Sequence, residues 1–143
     1  MAVREPVCKL CEKTRNTVFF GTEYYGALYC VARAYIDGFW EVNGQQKWLN
    51  TIHATATGKV IIAEKGIDWF ANLLKREELE KFTDKTINTV DAMTVEIEKI
   101  RKQQYALCVN ENNTESASLA VPVRNSEGTL IGSLAESFPD YLL

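Results

Sequence analysis

The chain has 143 residues, of which 46% are hydrophobic, 24% charged and 10% aromatic. That is enough for one domain with a single core and too little for two. Sixteen Lys and Arg against nineteen Asp and Glu give a net charge of −3, which argues against direct contact with nucleic acid, whose phosphates demand a clustered basic surface. The apolar share excludes disorder as the main state, and no apolar run approaches the ~20 residues of a membrane span. The first residues lack the apolar stretch of a signal peptide, so a cytoplasmic protein is expected.

Residues 3–13 place Val3, Val7, Leu10 and Cys11 on one helical face, with Pro6 in the first turn. Cys8 and Cys11 have the spacing of a redox pair or of half a zinc site. A zinc site needs two further ligands, His53 is the only histidine, and a redox motif would open a helix rather than lie inside one. All four cysteines are therefore read as small core-facing residues, and no disulfide framework, metal or cofactor is expected. Residues 17–22 and 27–35, rich in Val, Phe, Tyr and Cys on either side of Gly26, read as a hairpin. Asp37 and Gly38 turn the chain into a short strand at 39–42, which Asn43 and Gly44 close; 45–50 reads as a loop or edge strand.

Residues 53–63 read as a helix with a small, polar first turn, and Gly66 suits its end. A further helix over 67–81 carries Ile67, Phe70, Leu73 and Leu74. Its basic residues from Lys75 to Lys81 interleave with Glu77, Glu78 and Glu80 as a solvated face. Thr89 or Asn88 can cap the next helix, with Asp91 in its first turn and an apolar stripe of Val90, Met93, Ile97 and Ile100. Strands at 105–110, 116–124 and 129–138 close the chain, the last two joined by a turn in which Gly128 can take a positive φ. The expected fold is α+β, an antiparallel sheet of about five to six strands with helices packed on it, on one side.

Successive side chains of a strand point to opposite faces. Tyr105, Leu107 and Val109 alternate with Ala106, Cys108 and Asn110; Leu119, Val121 and Val123 with Ser116, Ser118 and Ala120; Leu130, Leu134 and Phe138 with Ser133, Ala135 and Ser137. Packing the bulky faces on helices would make a core. The small faces would then form a polar cavity, lie open to solvent, or admit another backbone closely. Thr55, Ala56, Thr57 and Gly58 suggest a second wall. N–H groups at a helix start attract anions, and a carboxylate is the natural guest. His53 beside them reads as structural rather than as a ligand contact.

His53-Ala54-Thr55-Ala56-Thr57-Gly58-Lys59, then Thr86-Ile87-Asn88-Thr89, then the stretches 96–106, 118–124 and 128–134 follow in the order and at the separations seen in IclR-type transcriptional regulators. Essentially the whole chain resembles that family's C-terminal effector-binding domain. The resemblance implies one GAF-like or profilin-like sensor domain over 1–143 that holds a small organic acid. It implies a homo-oligomer, dimer or tetramer, without membrane contact, that reaches DNA only through an N-terminal winged helix-turn-helix. These 143 residues contain no such segment, so an excised domain or a stand-alone relative is expected. The family's backbone donors fall on Ala56 and Thr57. A pocket aspartate of some members falls on Cys108, the motif cysteine on Ser118, and two serines of the last strand on Ala135 and Ser137. With Cys108 in place of a carboxylate, Ser118 of a thiol and Ala135 of a serine, a less negative, more apolar pocket and a different effector follow. Two other functions compete with a non-catalytic sensor. One is an assembly module using Tyr24, Tyr25, Phe39 and Trp40. The other is an enzyme with Cys108 or Ser118 as nucleophile and His53 as base.

Overall fold

Two threonines begin the helices that carry the main core. The Thr55 hydroxyl accepts the Gly58 N–H at 3.0 Å and starts α2 (Ala56–Lys65); that of Thr89 accepts the Ala92 N–H at 3.3 Å and starts a later helix, Val90–Gln103. Each hydroxyl satisfies a donor that helix geometry leaves without a partner. The computed structural model describes residues 3–38, 40–48 and 51–143. In chain order they form α1 (Arg4–Thr14), β1 (Thr17–Tyr24), β2 (Ala27–Ala34), β3 (Trp40–Trp48), a 3-10 turn (Ile52–Ala54), α2, α3 (Ile67–Arg76), α4 (Val90–Gln103), β4 (Ala106–Val109), β5 (Ser116–Arg124) and β6 (Leu130–Pro139), closed by a short 3-10 turn (Asp140–Leu142).

The strands form one six-stranded sheet in the order β3-β2-β1-β6-β5-β4, with every neighbouring pair antiparallel. The expected α+β class and sheet are present. β1 and β2 close on Tyr25 and Gly26, both at positive φ, as a two-residue hairpin turn requires. β3 runs further than the expected 39–42. Its register against β2 passes from Ala32↔Val42 to Cys30↔Gln46, so Asn43 and Gly44 are accommodated by a register shift instead of ending the strand. Of that expected strand, Phe39 lies outside the described residues.

The helices differ from expectation in three places. A 3-10 turn precedes α2, which begins at Ala56 and not at His53. α3 stops at Arg76, because the chain extends from Glu77 to bury Leu79. On α4, Met93, Ile97 and Ile100 are buried while Val90 is 37% exposed, leaving three residues in the stripe.

The largest difference concerns which face of the sheet meets the helices. The small residues Ala106, Cys108, Ala120 and Ala135 share a core with α2, α3 and α4, including Val60, Ile61, Ile62, Phe70, Leu73 and Ile97. α2 is apolar nearly all round and buried from Ala56 to Ala63, as a helix sandwiched between layers must be. Small side chains on the facing strands let its backbone lie close. The opposite face is not bare. There α1 packs Val7 and Cys11 on Val18, Phe20, Ala32 and Ala34, with Leu134 and Val123 alongside. Helices therefore cover both faces, and of the bulky set Val123 and Leu134 point away from α2 while Leu130 packs against its core. The cysteines Cys8 and Cys11 belong to this α1 layer, Cys11 buried and Cys8 half-buried.

Candidate functional site

Strand register explains where space is left on the α2 side. Cys108 pairs with Ser118, Ser118 with Ser137, and Ser137 with Thr17, so four small polar side chains form one row across the sheet. The adjacent row is Ala106, Ala120, Ala135, Phe19 and Arg33. α2 covers the alanines of the second row, while the first row extends past the start of the helix. A cavity of ≈ 590 Å³ lies there. Thr17, Phe19, Arg33, Tyr35, Cys108, Ser116, Ser118 and Ser137 line its floor, Thr51, Ala54 and Thr55 one wall, and the loop from Asn110 to Asn113 its rim.

Cys108, Ser118 and Ser137 are thus brought together on the floor as the alternation suggested. Ala135 is not among the lining residues: it is fully buried under α2, one row from the cavity. Ala56 and Thr57 are also fully buried and absent from the lining. The Thr57 methyl lies over Gly21, where an added Cβ would sit 2.7 Å from it. Their side chains face the core and not the cavity. What they retain is the N–H groups of the first turn of α2, which helix geometry leaves without an intrahelical acceptor, behind Ala54 and Thr55 on the wall. The Thr57 and Ser133 hydroxyls are buried without a partner among the described residues.

Three residues that sequence reasoning passed over complete the site. Arg33 is a half-buried cation on the floor, donating to the Tyr35 hydroxyl at 3.2 Å and to the Cys30 sulfur at 3.8 Å. Burial works against its charge, but these bonds outweigh it and the pKa is raised. A lone charge in the apolar run 27–35 was the available signal. The second is Lys59, 1% exposed. Its ammonium donates to Glu96 Oε1 and to the Leu107 carbonyl at 2.8 Å each, and to Glu111 Oε2 at 2.9 Å. Glu111 Oε1 accepts as well, at 3.2 Å, so the two oxygens of that carboxylate share one of the three N–H donors. Burial pulls the Lys59 pKa down, but Glu111 and Glu96 overcome it and hold the side chain charged. The third is Glu111 on the rim, whose carboxylate lies close enough to Cys108 to act on its thiol. That carboxylate is itself paired with the Lys59 ammonium at 2.9 Å.

The chemistry of Cys108 and His53 counters the nucleophile reading. The Cys108 thiol donates to the Ala54 carbonyl at 3.2 Å, and burial together with Glu111 pushes it up to about 12. His53 is fully buried, its Nε2 lies 2.7 Å from the Glu80 carbonyl, and its ring stacks on Phe82. Burial lowers its pKa and keeps it neutral. His53 is absent from the cavity lining, so a nucleophile with an adjacent base is not assembled. Iodoacetamide at pH 8 should therefore modify Cys108 far more slowly than a free thiol, with the rate still climbing above pH 10. Peptide mass mapping over time checks this, and rapid labelling of Cys108 at neutral pH would contradict it.

At the β1–β2 turn, Tyr24 and Tyr25 are exposed with ring centroids 4.5 Å apart. Phe39 and the Trp40 side chain, the other half of the suggested assembly surface, lie outside the described residues.

Comparison with known proteins follows the same lines. The family model described as "Bacterial transcriptional regulator IclR C-terminal" matches residues 6–142. The HTH-type transcriptional regulator KdgR of Escherichia coli (strain K12) is 31% identical over 90 residues, 63% of this chain and 34% of that protein. XynR of the same organism, another HTH-type transcriptional regulator, is 37% identical over 86 residues, 60% of this chain and 34% of that protein. The chain thus spans about a third of the length of these relatives. Among solved structures, a double mutant of the inducer-binding domain of the PobR transcription factor from Acinetobacter, in complex with 3-hydroxybenzoic acid, superposes with a TM-score of 0.84. It is 22% identical, and the match covers 99% of this chain and 83% of that one. At that identity the likeness concerns the fold.

Proposed function

The chain belongs to the IclR C-terminal family of bacterial transcriptional regulators, and from that premise we propose that it is a sensor that binds a small organic acid. The relatives are transcriptional regulators and not enzymes. The observation that carries the reading is the ≈ 590 Å³ cavity, whose floor combines the hydroxyls of Ser118 and Ser137 with the half-buried cation Arg33. Its volume lies within the range of small-molecule sites, and a few placed polar groups on an otherwise apolar lining are their common pattern. Arg33 and the first-turn amides of Ala56 and Thr57 supply positive potential from two sides, which favours a carboxylate. The PobR domain, described as inducer-binding, shares the fold and offers a parallel.

In this reading residues 1–143 act as one effector-binding domain, and a separate winged helix-turn-helix makes the DNA contact. The domain works in the cytoplasm as a dimer or tetramer. Effector binding shifts the balance between two arrangements of that oligomer to the extent that the ligand prefers one of them. No helix among the described residues is long and apolar enough to cross a membrane.

A thermal-shift panel of aliphatic and aromatic carboxylic acids tests the proposal. An acid present at about a hundred times its dissociation constant should add about 2.7 kcal/mol and raise the midpoint by several degrees. Ser118→Trp, which fills the middle of the floor, should abolish that response while the unliganded domain remains folded by circular dichroism. A panel of broad chemistry with no response in the folded chain would favour an assembly module instead.

A further inference from the structure

We infer that the Lys59–Glu111 pair closes the outer edge of the sheet at β4, and that this closure keeps a second copy of the chain from adding its own strand there. β4 ends the sheet beside β5, so one side of its backbone has no strand neighbour among the described residues. In an antiparallel pair, successive residues turn their N–H and C=O groups alternately toward the partner strand and away from it. The register fixes that alternation here. The Asn110 N–H donates to the Ser116 carbonyl at 2.8 Å, and β4 continues the pairing through Cys108↔Ser118 and Ala106↔Ala120. Leu107 and Val109, and Tyr105 just before them, therefore present their backbone groups to the outer side. An edge of this kind is a ready template for another strand.

Side chains occupy it instead. The Leu107 carbonyl accepts from the Lys59 ammonium at 2.8 Å, and the Val109 N–H donates to Glu111 Oε2 at 3.3 Å. The Tyr105 carbonyl accepts from Gln103 Nε2 at 2.8 Å. The two charged groups are fixed where they stand, since they bond each other, Lys59 also bonds Glu96, and their side chains are only 1% and 10% exposed. A strand arriving at β4 must take Leu107 from Lys59 and Val109 from Glu111, and it strips partners from two buried charges that water cannot reach. Charged side chains turned onto a strand edge block pairing in this way. Any oligomer of the intact chain then forms through other surfaces.

Sedimentation velocity over a range of protein concentrations tests the inference on a Lys59→Met, Glu111→Leu double variant. An apolar pair there strands no charge, and it leaves the Leu107 carbonyl and the Val109 N–H open to a partner. The folded double variant should reach at least twice the mass of the parent chain at the same concentration, with the excess growing as concentration rises. Adding Val109→Pro should return the mass to that of the parent. Proline lacks the N–H that an incoming strand needs, and an edge strand tolerates it where that N–H faces outward. In the double variant it breaks no bond, because Glu111 is already replaced. Association that comes from lost stability should grow with the proline, and association through β3 or any other surface should not respond to it. Either result would overturn the inference, as would a folded double variant with the mass of the parent. If either variant does not fold, amide hydrogen exchange of the unmodified chain decides. The Val109 amide should exchange at least about a hundredfold more slowly than in an unstructured peptide, although it lies on the outer side of an edge strand. Exchange at the unstructured rate would mean that Glu111 does not close the edge.

Discussion

Lys59→Met should lower the unfolding free energy by about 3–5 kcal/mol, the cost expected when one partner of a buried ion pair is removed. The reason is what remains behind. Glu111 would keep a buried negative charge, and the Leu107 carbonyl would lose its donor. The three contacts also join three parts of the chain: α2 through Lys59, α4 through Glu96, and the end of β4 through Leu107 and Glu111. Urea unfolding followed by circular dichroism measures the effect, with the midpoint falling at unchanged slope. Replacing the acid as well, in a Lys59→Met, Glu111→Leu double variant, should recover a large part of the loss, because an apolar pair of similar volume no longer strands a charge. A single variant as stable as the parent would mean that the lysine is not buried in this way. Its pKa is raised in the folded chain, so its contribution is fully present below the ordinary value of 10.5 and is lost only as pH rises through the folded-state value. A melt at pH 7 therefore samples the whole effect.

Gly58→Ala should destabilise the chain by about 3 kcal/mol or more, at the upper end of what overpacking costs. In an exposed helix the same change would stabilise by about 1 kcal/mol, because alanine is the better helix former. Here a Cβ would lie 1.8 Å from the Ile52 carbonyl oxygen and 2.5 Å from its carbon. Those are backbone atoms of the 3-10 turn leading into α2, so no rotamer change relieves the clash. The turn and the helix must move apart, and with them Ala54 and Thr55, which line the cavity. A urea midpoint equal to or above that of the parent would refute the close approach. If the variant folds, its response to carboxylic acids should weaken along with its stability.

Both predictions rest on contacts that local pattern did not reveal, and the division follows a physical boundary. The hairpins, the stripe of Met93, Ile97 and Ile100 on α4, and the split of β4, β5 and β6 into bulky and small sets were legible because the repeats of helix and strand are local properties of the backbone. The ordered motifs from His53 to Leu134 carried the family for the same reason: they can be read along the chain without knowing what touches what. Composition and charge bounded the class.

Alternation assigns residues to two faces without saying which face a helix will cover, and here α2 took the small one because only there could its backbone lie close. It also cannot separate Ala135 from Ser137, two positions apart on one face. The point where α2 begins puts the first under the helix and leaves the second in the cavity. Lys59 reads in sequence as an ordinary helix lysine. It becomes a buried cation because docking brings Glu111, 52 residues away, and Glu96, 37 residues away, to its ammonium. The amino-acid sequence by itself determined the elements, their amphipathic faces and the family. Tertiary structure alone decided the charge pairing and the extent of the cavity, because burial and ion pairing depend on which surfaces meet, and no local repeat encodes that.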